Sequence, residues 1–187
     1  MHIVDEVSDF GATWFGIGCG EPLLRKDIFE IISHAKDLGL KVSLITNGYF
    51  VEGEKFDNLV KNEVRTSISL DGSEPINDML RGKGAYRRAL SAIKKLSDSG
   101  ILDCLVLTLT NINYKDVDHL LDLAEEYGAR WVVIHGVIPV GKAKKNIHLS
   151  PTPEQYEWTW NHLYDLTTEY KGQSGYQRVL PVVRPRG

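Results

Sequence analysis

Apolar and polar residues follow one recurring arrangement along the chain: an amphipathic helix, a glycine, and a short apolar strand. Residues 26–38 place their apolar side chains on one helical face, Gly39 follows, and residues 42–46 form an apolar run. The helical spacing predicts the helix, and the glycine predicts where it ends. The same arrangement recurs over residues 85–109 and residues 115–134. The chain is therefore expected to alternate helices with strands.

The alternation predicts an α/β fold. We predict strands near 12–17, 42–46, 66–70, 102–109 and 131–138, and helices over 26–38, 53–62, 85–99, 115–127 and 154–170. The last of these helices is rich in aromatic residues. The first ten residues are typical of the end of a helix, and no element is predicted after Gly172. Near-continuous apolar strands separated by helices indicate a parallel sheet covered by helices. Right-handed crossovers then allow a doubly wound sheet or a barrel.

Length and charge narrow the class of protein. The chain has 187 residues and a net charge of -3, which suits one domain with a sizeable core and argues against general binding to nucleic acid or membrane surfaces. No apolar run approaches the length of a membrane span, and the N-terminus lacks a secretory signal pattern, so a cytoplasmic location is expected. The two cysteines are not closely spaced, and two buried free thiols are expected.

The ends of the predicted strands carry the candidate chemistry. Ligands of parallel α/β folds bind beyond the carboxyl ends of the strands. All five strand ends are polar or rich in glycine, which exposes backbone groups, and Glu21 adds an acceptor for an ammonium group. The segments are residues 18–22, 46–48, 69–72, 108–111 and 137–141.

The order of these segments resembles the radical S-adenosylmethionine (radical SAM) enzymes, in the branch that makes molybdenum cofactor, pyrroloquinoline quinone and haem. The resemblance covers residues 1–145 and lies in Gly-Glu-Pro-Leu-Leu-Arg at 20–25, Thr-Asn-Gly at 46–48, Ser-x-Ser-x-Asp-Gly at 67–72, Arg-Gly at 81–82 and Ile-Pro-Val-Gly-Lys-Ala at 138–143. It implies a partial (β/α) barrel over residues 1–149, with residues 150–187 as a helix and tail of the same domain. It also implies an enzyme that cleaves SAM to a 5′-deoxyadenosyl radical.

The resemblance implies which residues contact SAM. The backbone around Gly20 and Glu21 is expected to hold the amino group of the methionine moiety. Ser69 is expected near SAM, and Arg81 is the candidate partner of the SAM carboxylate. Each of these segments is also an ordinary turn sequence.

Three further residues complete the expected site. Asn47 lies at the same rim, Ile138 is expected to pack on the adenine, and Thr46 is expected to face substrate or the ribose. Structural explanations stay open for most of the set: Ser69 and Asn47 as turn caps, Arg81 in a surface ion pair, and Ile138 in the core.

The sequence departs from the family in two places. Cys19 stands where the family usually has glycine, and we expect its thiol to pack into the barrel. The second departure is the [4Fe–4S] cluster, which the family binds through Cys-x3-Cys-x2-Cys on one loop. The two cysteines of this chain cannot supply that set. The chain is therefore expected to be an internal piece of such an enzyme, without its first barrel strand and inactive alone.

Substrate and partners are less determined by the sequence. The region after residue 138 is similar to enzymes that act on haem-precursor tetrapyrroles, and partly to enzymes that modify peptides. Arg178, Arg184 and Arg186 could bind propionate groups or form a solvated basic tail.

An apolar edge strand at 12–17 predicts self-association. The alternatives are a non-catalytic binding module and a phosphate-binding barrel enzyme, although no phosphate-binding fingerprint is present.

Overall fold

The structure is a computed structural model and describes residues 2–137, 141–169 and 179–181. Helices and parallel strands alternate along these residues. The helices are α1 (His2–Asp9), α2 (Ile28–Asp37), α3 (Gly53–Lys61), α4 (Glu74–Arg81), α5 (Ala85–Asp98), α6 (Val117–Glu126) and α7 (Pro153–Glu169), with 3-10 helices at Pro22–Leu24 and Gly141–Leu149. The strands are β1 (Trp14–Ile17), β2 (Lys41–Thr46), β3 (Arg65–Ser69), β4 (Leu102–Leu109), β5 (Trp131–Gly136) and β6 (Val179–Pro181).

The chain divides into two compact units. The first comprises Met1–Ser69 and Arg88–Asp103, and the second comprises Leu70–Arg87 and Cys104–Gly187. The predicted division into residues 1–149 and 150–187 stays a prediction.

In the first unit, β1, β2 and β3 pair in parallel, in chain order. Phe15 lies opposite Val42, and Leu44 lies opposite Thr66. The core of this unit is aliphatic, and each fully buried leucine or isoleucine contributes about 1.5–3 kcal/mol. Its largest buried side chains are Leu23, Ile32, Leu44, Leu59, Ile68, Ile93 and Leu96.

In the second unit, β4, β5 and β6 also pair in parallel. Leu105 lies opposite Val132, and Ile134 lies opposite Pro181. The helix α6 packs its predicted apolar face inward, since Val117, Leu120 and other residues of that face are buried.

The sequence predicted the type and order of most elements, and the predicted parallel α/β arrangement is confirmed. Apart from the two 3-10 helices, one α-helix and one strand of the described residues were missed. Helix α4 has only eight residues and a polar composition, so its period is hard to see. Strand β6 has three residues, which follow a stretch rich in glycine and polar residues, and it pairs with β5.

Two apolar stretches of the first unit are largely outside its core. In α1, Ile3 is 70% exposed and Phe10 is 95% exposed, and Val4 is the buried residue. The residues of β1, which was predicted as an apolar edge strand, are exposed or half-buried. Among the described strands, β1 pairs only with β2, and an edge strand has fewer neighbours to cover it.

None of the helices in the described ranges has both the length and the apolar composition that crossing a membrane requires.

Candidate functional site

A half-buried carboxylate joins the ends of β1 and β2 in the first unit. Thr46 donates its hydroxyl to Oε1 of Glu21 at 2.7 Å, and the N–H of Asn47 donates to Oε2 at 2.9 Å. The N–H of Leu23 also donates to Oε1, at 3.2 Å, so Glu21 caps the 3-10 helix that follows it. We call Glu21, Thr46 and Asn47 the Glu21 cluster. Its carboxylate fixes the loop after β1 against the end of β2.

The Thr-Asn-Gly turn after β2 has a structural reason for each residue. Thr46 is 1% exposed, and its hydroxyl also accepts the N–H of Gly48 at 3.2 Å. Asn47 accepts the N–H of Tyr49 at 2.8 Å through its side chain, as a turn cap does. Gly48 has φ +81°, and a Cβ there would lie 3.2 Å from the Cα of Ala89. Only glycine fits this position without displacing α5.

Cys19 does not pack into the interior. It is exposed and has φ +70°, a left-handed conformation that is uncommon for residues other than glycine. The next residue, Gly20, has φ +62° and is also exposed. The preference for a packed thiol was therefore wrong, because the bend of the loop turns this residue outward. Two successive left-handed residues form the bend before Glu21.

Lys55 holds the same loop from α3, and sequence reasoning missed it. Its ammonium donates to the carbonyl oxygen of Leu23 at 2.7 Å and lies 4.5 Å from the ring centre of Phe50. A lysine in an amphipathic helix is usually a solvent contact, so its sequence position carries no signal for this role. With Glu21, Lys55 anchors both ends of the segment Glu21–Leu23.

The exposed Arg25–Asp27 pair follows the anchored segment. The guanidinium donates to the carboxylate at 2.6 Å through Nε and at 2.8 Å through Nη2. The side-chain hydrogen bond from Arg25 lowers the pKa of Asp27, and the same pair raises the pKa of Arg25. Both groups are solvent-exposed, so water screens the pair and its contribution to stability is small.

A buried carboxylate organises the second unit. Asp71 is 7% exposed, and its Oδ2 accepts Nε of Arg81 at 2.6 Å. Its Oδ1 accepts the N–H of Thr108 at 2.9 Å. The Asp71 N–H donates to Oδ1 of Asn77 at 2.9 Å, and its carbonyl accepts Nδ2 of Asn113 at 3.0 Å. We call Asp71, Asn77, Arg81, Thr108 and Asn113 the Asp71 cluster.

The fully buried Asn113 links three chain segments of this cluster. Its Nδ2 also donates to the carbonyl of Thr108 at 2.9 Å, and its Oδ1 accepts the N–H and hydroxyl of Thr110 at 2.6 and 3.0 Å. Neither Asn77 nor Asn113 was predicted. Asn113 follows the end of β4 and Asn77 lies within α4, and a polar residue at either place is ordinary in a turn or a helix.

The structure brings together part of the predicted site. Glu21, Thr46 and Asn47 contact each other, and Gly20 precedes them in the same loop. Ser69 is the half-buried last residue of β3. Arg81 belongs to the second unit, where it ends α4 and pairs with Asp71. Ile138 lies outside the described residues, as do Arg178, Arg184 and Arg186.

The thiols do not fit an iron–sulfur cluster. Cys19 is exposed in the loop after β1, whereas Cys104 is buried in β4, as a structural thiol is expected to be. A [4Fe–4S] cluster requires several thiolates gathered on it, and the whole chain has two cysteines. Within the described part of the chain, no three His, Cys, Asp or Glu side chains form a group that could hold a metal ion.

Comparisons with known proteins identify the family of the chain. Residues 1–127 match the family described as the radical SAM superfamily. The chain is 32% identical over 175 residues to an AdoMet-dependent heme synthase of Methanosarcina barkeri, which covers 92% of this chain and 50% of that protein. It is 34% identical over 164 residues to the mycofactocin maturase MftC of Mycolicibacterium smegmatis, covering 83% and 42%. The chain thus spans half or less of the length of these relatives.

Solved structures confirm the fold class. The chain superimposes on Streptococcus suis SuiB bound to S-adenosylmethionine with a TM-score of 0.80 at 17% identity, covering 96% of this chain and 42% of SuiB. SuiB bound to the precursor peptide SuiA gives a TM-score of 0.78 at the same identity, covering 96% and 40%. The predicted partial (β/α) barrel of the radical SAM type is thereby confirmed. With a family match over residues 1–127 and relatives above 30% identity, the chain belongs to the radical SAM superfamily.

Proposed function

We propose that this chain binds SAM at the carboxyl ends of its strands, as the SAM-binding part of a radical SAM enzyme. The observation that carries the proposal is the Glu21 cluster. A carboxylate, a buried hydroxyl and a backbone N–H together fix a glycine-rich loop directly after β1. Such a loop exposes backbone groups at an edge where α/β proteins bind their ligands.

The cluster suits the amino group of SAM. Each Glu21 oxygen accepts at least one hydrogen bond from the protein, so the carboxylate sets the shape of the loop while adding negative charge beside it. Gly18, Cys19 and Gly20 are exposed, and carbonyl oxygens of such a loop can accept hydrogen bonds from an ammonium group. In this proposal Thr46 acts through Glu21, and Asn47 holds the loop through its backbone.

The remaining contacts follow the same proposal. Three predictions from the sequence stay part of it: Arg81 for the carboxylate of SAM, Ser69 near SAM, and Ile138, which lies outside the described residues, for the adenine. A guanidinium recognises a carboxylate by two parallel hydrogen bonds, which makes arginine well suited to this role.

Calorimetric titration of this chain with SAM tests the proposal. We expect saturable binding, and weaker binding of 5′-methylthioadenosine, which lacks the amino acid moiety. Glu21→Gln is expected to weaken SAM binding about tenfold, as loss of a charged acceptor does. The matched control is Glu54→Gln, which changes an exposed glutamate in the first turn of α3 and is expected to leave binding unchanged. No measurable binding of SAM contradicts the proposal.

The reaction and substrate are part of the same proposal. The relatives are a heme synthase and a mycofactocin maturase, and SuiB has been solved with a precursor peptide. We infer a whole enzyme that cleaves SAM for the modification of a tetrapyrrole or of a peptide. Since the cysteines do not fit the cluster, the chain alone is expected to bind SAM without cleaving it. Release of 5′-deoxyadenosine by the purified chain with dithionite contradicts this expectation.

A second function, self-association, is favoured by the apolar surface beside β1. A cavity of about 450 Å³ in the first unit is lined by Ile3, Phe15, Ile28 and Ile31, among others. Exposed edge strands with apolar neighbours promote pairing between chains. We propose that a second copy covers this surface. Light scattering after gel filtration is expected to show a dimer that Ile3→Ser together with Phe15→Ser converts to monomer. A monomeric parent chain at high concentration contradicts this proposal.

A further inference from the structure

A second cavity, of about 510 Å³, lies in the first unit at the amino ends of its strands. Trp14, Lys41 and Arg65 line it, and they are the first residues of β1, β2 and β3. Lys41 and Thr46 are the two ends of β2, about 16 Å apart at about 3.3 Å per residue. The cavity is therefore separate from the Glu21 cluster. Its volume is within the usual range of small-molecule sites, about 300–1,000 Å³.

Strand pairing places these three side chains on one face of the sheet. Trp14 lies opposite Lys41, and Arg65 lies opposite Ser43, two residues after Lys41. Side chains of paired residues share a face, as do side chains two residues apart on one strand. The ammonium of Lys41 lies 5.6 Å from the ring centre of Trp14, whose side chain is 45% exposed. This face thus presents two cations beside an aromatic wall.

The lining of the cavity carries excess positive charge. Lys36 of α2 adds a third cation, and Glu63 is the carboxylate that also lines the cavity. Lys36 lies 3.5 Å from Glu63, whose side chain is 81% exposed, so water screens this pair. Nη1 of Arg65 donates to the carbonyl of Gly100 at 3.2 Å, and neither Arg65 nor Lys41 pairs with a carboxylate of the described residues. Three cations and one carboxylate leave two positive charges in excess.

We propose that this cavity binds a small molecule through its phosphate groups. A phosphate carries about 1.5–2 negative charges at neutral pH and three acceptor oxygens, which match the excess charge and the three cationic side chains. The guanidinium of Arg65 supplies a planar fork of donors, and the lysines supply point charges. The hydroxyl of Ser99, which also lines the cavity, adds a neutral donor. A single carboxylate would leave part of the positive charge unbalanced.

A purely structural role for these cations predicts a different response to substitution. Like charges that line one cavity repel each other, so they lower the stability of the ligand-free fold. Binding sites commonly keep such groups at a cost in stability. Removal of one cation should therefore weaken ligand binding without lowering the stability of the ligand-free chain. A cation with only a structural role should lower that stability when it is removed.

Calorimetric titration of the full chain with sodium pyrophosphate tests the proposal, with sodium acetate at equal ionic strength as the single carboxylate. We expect saturable binding of pyrophosphate and at least about tenfold weaker binding of acetate. Lys41→Gln is expected to weaken pyrophosphate binding about tenfold and not to lower the Tm of the ligand-free chain. Lys36→Gln should act in the same way. The matched control is Lys94→Gln, an exposed change on α5 of the same unit, which should leave binding unchanged.

ADP distinguishes the two sources of the phosphate. Equal affinities for ADP and pyrophosphate assign binding to the phosphates alone, whereas tighter binding of ADP assigns a further contact to the base, for which Trp14 is the aromatic partner. No binding of pyrophosphate, binding that Lys41→Gln leaves unchanged, or a lower Tm in that variant overturns the proposal. SAM binding by the Lys41→Gln chain should equal that of the parent chain, so failure here leaves the proposed function standing.

Discussion

The two units each place a carboxylate after a strand, and the two carboxylates are held in different ways. In the first unit, Glu21 is half-buried, and its donors among the described residues are neutral: the hydroxyl of Thr46 and backbone N–H groups. In the second unit, Asp71 is buried and accepts a guanidinium and a backbone N–H.

The difference shows what each carboxylate does for its unit. Glu21 ties a bent, exposed loop to a strand end, and the loop contains a left-handed cysteine. Asp71 joins a helix, a strand and a loop at a point from which water is largely excluded. Removing a charge from a buried network leaves its partners unsatisfied, whereas removing one from a wetter site lets water replace it. The two clusters should therefore respond very differently to substitution.

Asp71→Ala should have the largest effect. It leaves Arg81 without its carboxylate and Thr108 without an acceptor. We expect the free energy of unfolding to fall by about 2–3 kcal/mol, less than for a fully buried pair because Arg81 is partly exposed. Glu21→Ala, the comparison, should lower it by about 1–2 kcal/mol. Urea denaturation measures both changes. Equal losses of unfolding free energy would contradict the expected difference between the two clusters.

Thr46→Val tests how much the hydroxyl of Thr46 contributes to the stability of the Glu21 cluster. The change keeps the shape but removes a donor to Glu21 and an acceptor for the N–H of Gly48. Unfolding free energy should fall by about 1–2 kcal/mol, because one bond goes to a charged group. The control is Thr66→Val, whose hydroxyl donates only to the neutral carbonyl of Val64 and whose loss should cost about 0.5–1 kcal/mol. A larger loss at Thr66 contradicts the argument.

Cys19→Gly should stabilise the first unit. Glycine adopts φ near +70° without strain, while the unfolded chain gains entropy, so we expect a net gain of about 0.5–1 kcal/mol. Glu63→Gly is the control, since Glu63 has φ +49° after α3 and should give a similar gain. Thermal melting measures both changes. A loss at Cys19 with a gain at Glu63 would mean that the thiol stabilises the loop.

Asp27→Asn should have the smallest effect, and that effect should disappear in acid. The hydrogen bond from Arg25 lowers the pKa of Asp27 in the folded state. Its contribution is therefore present above the pKa of the unfolded chain, about 3.9, and is lost as the pH falls through the lower, folded value. Stability curves of the parent and Asp27→Asn should differ slightly at neutral pH and converge at low pH. A constant difference at all pH values would rule out this linkage.

The arrangement of the elements was predictable because it depends on local patterns. The helical period placed α2, α5 and α6, and the apolar runs placed β2 to β5, since these patterns reflect which face of each element is buried. The motif order also pointed to the family. In contrast, α4 and β6 were missed because short polar elements owe their form to the packing around them.

The site was predictable in part. The apolar runs and the motif order placed Glu21, Thr46 and Asn47 at strand ends, and parallel pairing of β1 with β2 brings those ends together. The roles of Lys55, Asn77 and Asn113 could not be predicted, because each depends on a partner that lies distant in sequence or on a backbone group exposed by a loop.

The sequence by itself determined the parallel α/β pattern, the family and the strand ends that carry polar residues. Only the tertiary structure decided which carboxylate is buried, that Cys19 faces solvent, and that Arg81 is held by Asp71. The physical reason is that burial and hydrogen-bond pairing depend on which segments meet, whereas helix and strand periods are set within each segment.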